Sequence, residues 1–403
     1  RIHNDLDHPS LSYHSRIYGN ESGMTGCTNF GLLFEYIYLV ELCMCCRDNA
    51  SSLDCPREAS EVSLEQRSIM RFLSSRTLAD SPASKRERAQ VFISSKFPAY
   101  ASALLDILTI FGYVEGEETG MDNLDLLKAR LSIMMMRMID EVFLDRRSPF
   151  RPNSNGRKEF SWVPVMLAYL VHCPKASTVE KAEMLELLEI LHVSMWMLEE
   201  RRVNRFSNCY WSALQVVLEN SESHTAIVEG LLSILGDAVD RLETLASEIR
   251  HRAFGDRDKI RYFLIKVEIG RQLRLMEHSQ MSAVQLMEAI SKPREFWDRV
   301  HVDQLTFLRN DERGWTSQQI GDHGTKLGGL TMVDVGGVMP VWRSTDDGHG
   351  STSANNAFVK PEEIKADSFT FENFKARQRN VLDILHHSFR VGRVRDSSTM
   401  GAI

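Results

Sequence analysis

Cysteine is scarce and odd in number, seven in 403 residues. That excludes a disulfide framework and makes a reducing, cytoplasmic compartment the expectation. Cys43, Cys45, Cys46 and Cys55 do cluster, but three of them crowd one apolar stretch and no histidine lies between His14 and His172. The paired knuckles or Cys/His pairs that close a zinc site are therefore missing, and these residues read as buried thiols. An excess of positive charge is missing too: 48 Lys and Arg against 55 Asp and Glu leave a formal net charge of −7. A globally basic nucleic-acid binder is excluded, so any such binding must come from local patches. Long hydrophobic runs are also lacking. The best candidate, residues 30–46, carries Glu35 and Glu41 and falls short of the roughly 20 predominantly apolar residues that a membrane span needs. With Leu33, Tyr36, Ile37 and Val40 at helical spacing, it is expected to be a buried helix without membrane contact. No signal peptide is legible, and a chain opening on Arg1 is expected of a processed protein or a fragment.

What is present is an ordinary globular composition, 43% hydrophobic and 26% charged, at a length that suggests two or three domains. Residues 1–60 form an N-terminal segment of uncertain role with one apolar helix. From 61 to 290 the pattern is helical, with apolar residues three and four apart, most clearly in 101–111, 124–143, 177–197 and 226–249. Gly236 falls inside the last window and either divides that helix or is tolerated within it. Met134, Met135, Met136 and Met138 read as core filler, and Arg201, Arg202 and Arg205 as a solvated helix end. After Pro293 the character changes, and short β-type runs appear at 300–308, 328–335 and 338–342 between Gly-, Asp- and Asn-rich loops. Helical periodicity returns over 371–389, with Phe374, Val381, Leu382 and Leu385 as the expected buried stripe. The expected fold is thus mainly α: a helical bundle domain, then a small α+β module over 291–390, then a flexible tail over 391–403. Arg390, Arg393 and Arg395 give the chain end a small positive charge.

The loops of the last module hold the densest set of reactive side chains: His301, Asp303 and Gln304; Asp322 and His323; Asp346, Asp347 and His349; Asn355 and Asn356. An activated water beside a divalent cation needs a base and two or three hard ligands, which this set contains. The stretch from Gly321 to Gly329 is not a phosphate loop, because Gly324-Thr325-Lys326 is followed by strand-like residues rather than the first turn of a helix. GxSxG, HExxH and GxGxxG motifs are absent as well.

Several landmarks follow one another in a telling order. Residues 258–268 (DKIRYFLIKVE) are helical; residues 296–305 (FWDRVHVDQL) follow; then come Trp315, residues 326–332 (KLGGLTM), residues 355–360 (NNAFVK) and a closing helix around Arg377. This order resembles the C-terminal part of the GmrSD-type restriction endonucleases, a helical domain followed by an HNH-like, His-Me finger nuclease module, and covers roughly residues 125–390. The resemblance implies a ββα-metal-like fold for the terminal module and DNA as partner. It also implies metal-dependent phosphodiester hydrolysis with Mg²⁺ or Mn²⁺ in antiviral restriction. Aligned on Val302-Asp303, Gln304 stands where the family has its catalytic histidine, and glutamine cannot act as that base. His301 lies at an odd offset from it, so a strand turns it to the opposite face unless a bulge intervenes. A second alignment puts His301 itself at the catalytic position, with Val300 in place of the preceding acid. Gly329 replaces the asparagine of the Leu-Gly-Asn motif, while Asn355 or Asn356 matches the later asparagine and would help hold the metal. The family's Asp-Gly-Gln-Gln-Arg nucleotide-sensing motif is not found.

Two functions are therefore carried forward. One is a restriction-type nuclease whose catalytic set is drawn from His301, Asp303, Gln304 and His323, with Asn355 and Asn356 at the metal and Arg294, Arg299, Arg309 and Arg313 on the DNA. The other is a non-catalytic helical scaffold that binds a partner protein, a second copy of itself or nucleic acid, with a relic nuclease module.

Overall fold

The computed structural model describes residues 36–37, 39–44, 90, 92–111, 124–139, 162–198, 203–250, 257–276, 300–304, 316–334 and 370–391. The chain is mainly helical, and among the described residues its only sheet has two antiparallel strands. In order, the elements are a π-helical turn at Phe92–Lys96, α1 (Phe97–Phe111), α2 (Leu124–Ile139), α3 (Trp162–His172), α4 (Thr178–Met197), α5 (Val203–Glu219), α6 (His224–Leu235), α7 (Ala238–Glu248), α8 (Arg257–Met276), β1 (Val300–Gln304), α9 (Ser317–His323), a 3₁₀ turn (Leu327–Gly329), β2 (Leu330–Asp334) and α10 (Phe371–Phe389). They fall into two compact units. The first is Arg1–Thr119, Pro149–Leu188 and Glu200–Ile234; the second is Gly120–Ser148, Glu189–Glu199 and Leu235–Ile403.

In the first unit α3 is the central helix. It is buried from Trp162 through Leu170 except at Val163, as a helix apolar on all sides must be, and it packs against α1 and α5. Pro164 is tolerated because it sits in the first turn, where backbone N–H groups have no helical acceptor. α5 buries Tyr210, Trp211, Leu214, Val217 and Leu218, the one-sided spacing of an amphipathic helix. Ser177 starts α4 as a capping box, its hydroxyl accepting from Glu180 N at 3.3 Å while the Glu180 carboxylate accepts from Ser177 N at 2.8 Å. In the apolar N-terminal stretch, residues 36–37 and 39–44 are helical and Ile37 and Val40 are buried, whereas Leu33 lies outside the described residues. Glu41 is buried there and accepts from Tyr100 Oη at 2.9 Å and Lys96 Nζ at 2.7 Å, so its charge is compensated within the protein. Among the described residues no helix is long and apolar enough to cross a membrane.

Gly236 divides the window that the sequence left open. It adopts φ 53° between α6 and α7, the left-handed conformation that ends helices and that glycine adopts without steric cost. In the second unit, β1 pairs with β2 in continuous register from Val300↔Asp334 to Gln304↔Leu330, with α8 packed on both strands and α10 packed on α8 and on the 3₁₀ turn. Thr370 caps α10, accepting from Asn373 N at 3.2 Å. The buried stripe of α10 is Phe374, Arg377, Val381, Ile384, Leu385 and Phe389; Leu382, expected in it, is half-buried. In α2, Met135, Met136 and Met138 are core residues, while Met134 is half-buried.

Arg390, at the expected start of a frayed tail, is instead held on α7, donating to both oxygens of Glu243 at 2.9 Å and to Asp240 at 3.0 Å. Burial raises the Glu243 pKa, but the hydrogen bonds and charges of Arg390 and His386 outweigh it and hold the carboxyl below its usual value of 4.5. A carboxyl depressed on folding stabilises the native state above its unfolded pKa, and that contribution disappears as pH falls through the folded value. Glu243→Gln is accordingly expected to lower the urea midpoint near pH 7 and to converge on the wild type in acid, once pH has fallen through the depressed folded value. An equal deficit at both pH values would contradict this account.

Candidate functional site

α8 and β1 bring three basic side chains together within the second unit. Arg257 and Arg261 are four residues apart at the start of α8 and therefore project from one face. With His301 and Val302 of β1 they line a cavity of about 150 Å³. His301 is exposed at this mouth, whereas Arg261 keeps only 17% of its side chain accessible. Arg261 Nη1 also reaches Asp258 Oδ1 at 3.5 Å, one turn away. Two like charges at this spacing repel, and cations at a helix N-terminus oppose its macrodipole.

The supports behind β1 and β2 are buried and polar. Arg377 is fully buried, and its Nη1 donates to the carbonyls of Gly328 at 2.9 Å and Leu330 at 2.7 Å, which ties α10 to the entry of β2. Burial pushes this guanidinium down to about 10 against the pull of Glu268, so it remains charged at neutral pH. Gln378 accepts from Gly328 N on the same turn. Glu268 is held by Arg271, and Glu189 by Lys266 at 2.7 Å and Tyr262 Oη at 2.8 Å.

The register settles one point about the sequence-predicted residues. β1 runs without a bulge from Val300 to Gln304, so positions 301 and 304 lie on opposite faces of the strand and His301 cannot take over the place of residue 304. Of the two alignments, only the one that uses His301 in its own right puts a histidine in the cavity. Asp303 and Gln304 are placed as strand positions, and their side chains lie outside the described residues. His323 is on the last turn of α9 and packs its ring on Phe371 at 5.5 Å and Phe374 at 5.7 Å, where it serves the α9–α10 packing and does not line this cavity. Asn355, Asn356, Arg294, Arg299, Arg309 and Arg313 lie outside the described residues.

No family model, curated protein or solved structure matches the chain.

The arrangement must therefore be judged on its own chemistry. Among the described residues no three His, Cys, Asp or Glu side chains are placed to hold a metal ion. Among the described residues, Arg257, Arg261 and Val302 line the cavity with His301, and guanidiniums attract an oxyanion.

Gly329 also has a local explanation. A Cβ there would lie 2.6 Å from the carbonyl oxygen of Gly324, so the 3₁₀ turn in this chain excludes the asparagine of the family motif. Gly329→Asn is expected to cost about 1–3 kcal/mol through forced backbone displacement, read as a lowered urea midpoint. An unchanged midpoint would show that the turn is looser than described.

The first unit contains another polar cluster. Tyr169 Oη lies 2.9 Å from His224 Nδ1, and His224 Nε2 lies 3.1 Å from Glu183, which links α3, α6 and α4. Burial, then the negative charge of Cys173 and of Glu180 and Glu183, pushes the Tyr169 hydroxyl well up from its ordinary range and keeps it a neutral donor. The cluster satisfies buried polar groups where three helices meet.

Proposed function

We propose that this chain acts on nucleic acid as a nuclease-related protein, with β1, β2 and α10 as a divergent ββα module and His301 as the base that activates water. The observation that carries the reading is His301 facing Arg257 and Arg261 across one small cavity. In this scheme the neutral imidazole takes a proton from water as the water oxygen bonds to phosphorus. The P–O bond to the leaving strand breaks, and solvent protonates the leaving oxygen. The two guanidiniums offset the charge that grows on the phosphoryl oxygens. The landmark order shared with the GmrSD-type endonucleases supports the same reading. A second reading, nucleic-acid binding without hydrolysis, draws on the same guanidiniums, because cations bind phosphate whether or not a base is competent.

The test is conversion of supercoiled plasmid to nicked and linear forms by the wild type and by His301→Ala, with Mg²⁺, with Mn²⁺ and with EDTA. Cleavage by the wild type and not by His301→Ala supports hydrolysis. Equal cleavage by both indicates a contaminant and sinks it, and retention of plasmid without cleavage selects the binding reading. Loss of cleavage in EDTA would assign a metal to residues beyond the described ones, Asn355 and Asn356 first.

A further inference from the structure

We infer that Arg377, with Gln378 beside it, is a positioning residue for His301: it fixes the entry of β2 and, through the β1–β2 ladder, the face of β1 on which the imidazole stands. The inference rests on the proposed role of His301 and adds what holds that side chain in place. Arg377 acts through backbone atoms rather than on the substrate.

The turn before β2 has little of its own to orient it. Two of its three residues are Gly328 and Gly329, and a Cβ on either would lie 2.6 Å from a neighbouring oxygen, so side-chain packing cannot set the direction of the turn at those positions. Hydrogen bonds to the backbone take that place. Arg377 Nη1 donates to Gly328 O at 2.9 Å and to Leu330 O at 2.7 Å, bracketing Gly329, while Gln378 Oε1 accepts from Gly328 N. Leu330 opens β2 opposite Gln304, and three positions on Val333 stands opposite His301. A slip of one residue would turn every side chain of a strand to its other face. Short two-stranded pairings are marginal by themselves, and glycine-rich ones specify register weakly. An anchor on Leu330 opposes such a slip. The kind of residue points the same way: position 377 lies in the buried stripe of α10, where an apolar side chain would pack without desolvating a charge. A buried charge is best attested where it fixes register rather than where it adds stability.

The test is amide hydrogen exchange by mass spectrometry on the full chain, beside plasmid nicking kinetics, for Arg377→Met, Arg377→Lys and Gln378→Met. Val381→Ala, at a buried apolar position of the same helix, is the packing control, and urea midpoints put all four variants on one stability scale. Exchange across residues 300–304 is expected to rise about tenfold in Arg377→Met, and less in Arg377→Lys and Gln378→Met, beyond what Val381→Ala shows for the same midpoint loss. The nicking kcat is expected to fall about 10–100-fold in Arg377→Met with KM within about twofold, the signature of a displaced catalytic group rather than of lost binding. Unchanged exchange in β1 would overturn the inference. So would a Val381→Ala variant that moves exchange and kcat as far for the same loss of stability, which would reduce Arg377 to packing. Should Arg377→Met fail to fold, Gln378→Met decides by the same comparison. If the wild type cuts plasmid and the Arg377 variants keep its kcat, the inference falls and the nuclease reading stands. If the wild type cuts nothing, the role of His301 as base falls, and exchange alone decides whether Arg377 fixes the strand.

Discussion

Replacing Glu189 by alanine is expected to cost the second unit about 3–5 kcal/mol, the cost of breaking a buried ion pair. Glu189 is 1% exposed and accepts from Lys266 Nζ at 2.7 Å on both oxygens and from Tyr262 Oη at 2.8 Å. Its removal leaves an ammonium and a phenol in a low-dielectric interior with no partner to replace it. Burial, then the negative charge of Glu189 and the hydrogen bond to it, raise the Tyr262 hydroxyl well above its usual range, so the phenol stays a neutral donor throughout. Since whole domains are stable by about 5–15 kcal/mol, the single change is large enough to unfold part of the population at room temperature. The cost belongs to the broken pair rather than to the absent one. Glu189→Leu/Lys266→Met/Tyr262→Phe, which removes all three polar groups, is expected to recover most of the loss, since a hydrophobic replacement of a buried ion pair is often neutral or stabilising. Urea midpoints of the single and triple variants check this, and a triple variant as unstable as Glu189→Ala would show that packing rather than uncompensated charge dominates.

That network also marks the limit of what is legible in the sequence. Amphipathic period set out α10 from Phe371 to Phe389, because apolar spacing acts locally. Arg377 was illegible as a buried residue: its acceptors, the carbonyls of Gly328 and Leu330, stand 49 and 47 positions away and follow no spacing rule. The stripe consequently turned toward Ile384 and left Leu382 half-buried. The strands show the same division. Their β-type composition was legible, and the register that separates position 301 from position 304 emerged only from pairing. At the site, His301 stood out as a reactive residue, whereas Arg257 and Arg261 were not singled out.

His301→Ala is expected to lower the cleavage rate by about 10²–10⁴-fold, the usual contribution of a general base, while leaving stability within about 0.5 kcal/mol because the side chain is exposed. The loss alone does not separate a base from a side chain that only shapes the cavity, so the decisive measurement is rescue. Deleting the ring enlarges a cavity of about 150 Å³ by the volume of an imidazole, and exogenous imidazole is expected to restore part of the rate to His301→Ala in proportion to its free-base concentration. His301→Phe fills the same space without a basic nitrogen and is expected to be as inactive as the alanine variant and immune to rescue. Phosphate affinity provides the independent axis. If Arg257 and Arg261 hold the anion, His301→Ala keeps most of its duplex binding in EDTA while losing turnover, a separation of binding from chemistry that a general distortion of β1 would not produce. Rescue of His301→Phe, or parallel collapse of binding and turnover in His301→Ala, would remove His301 from the role of base and leave the cavity as a binding site alone.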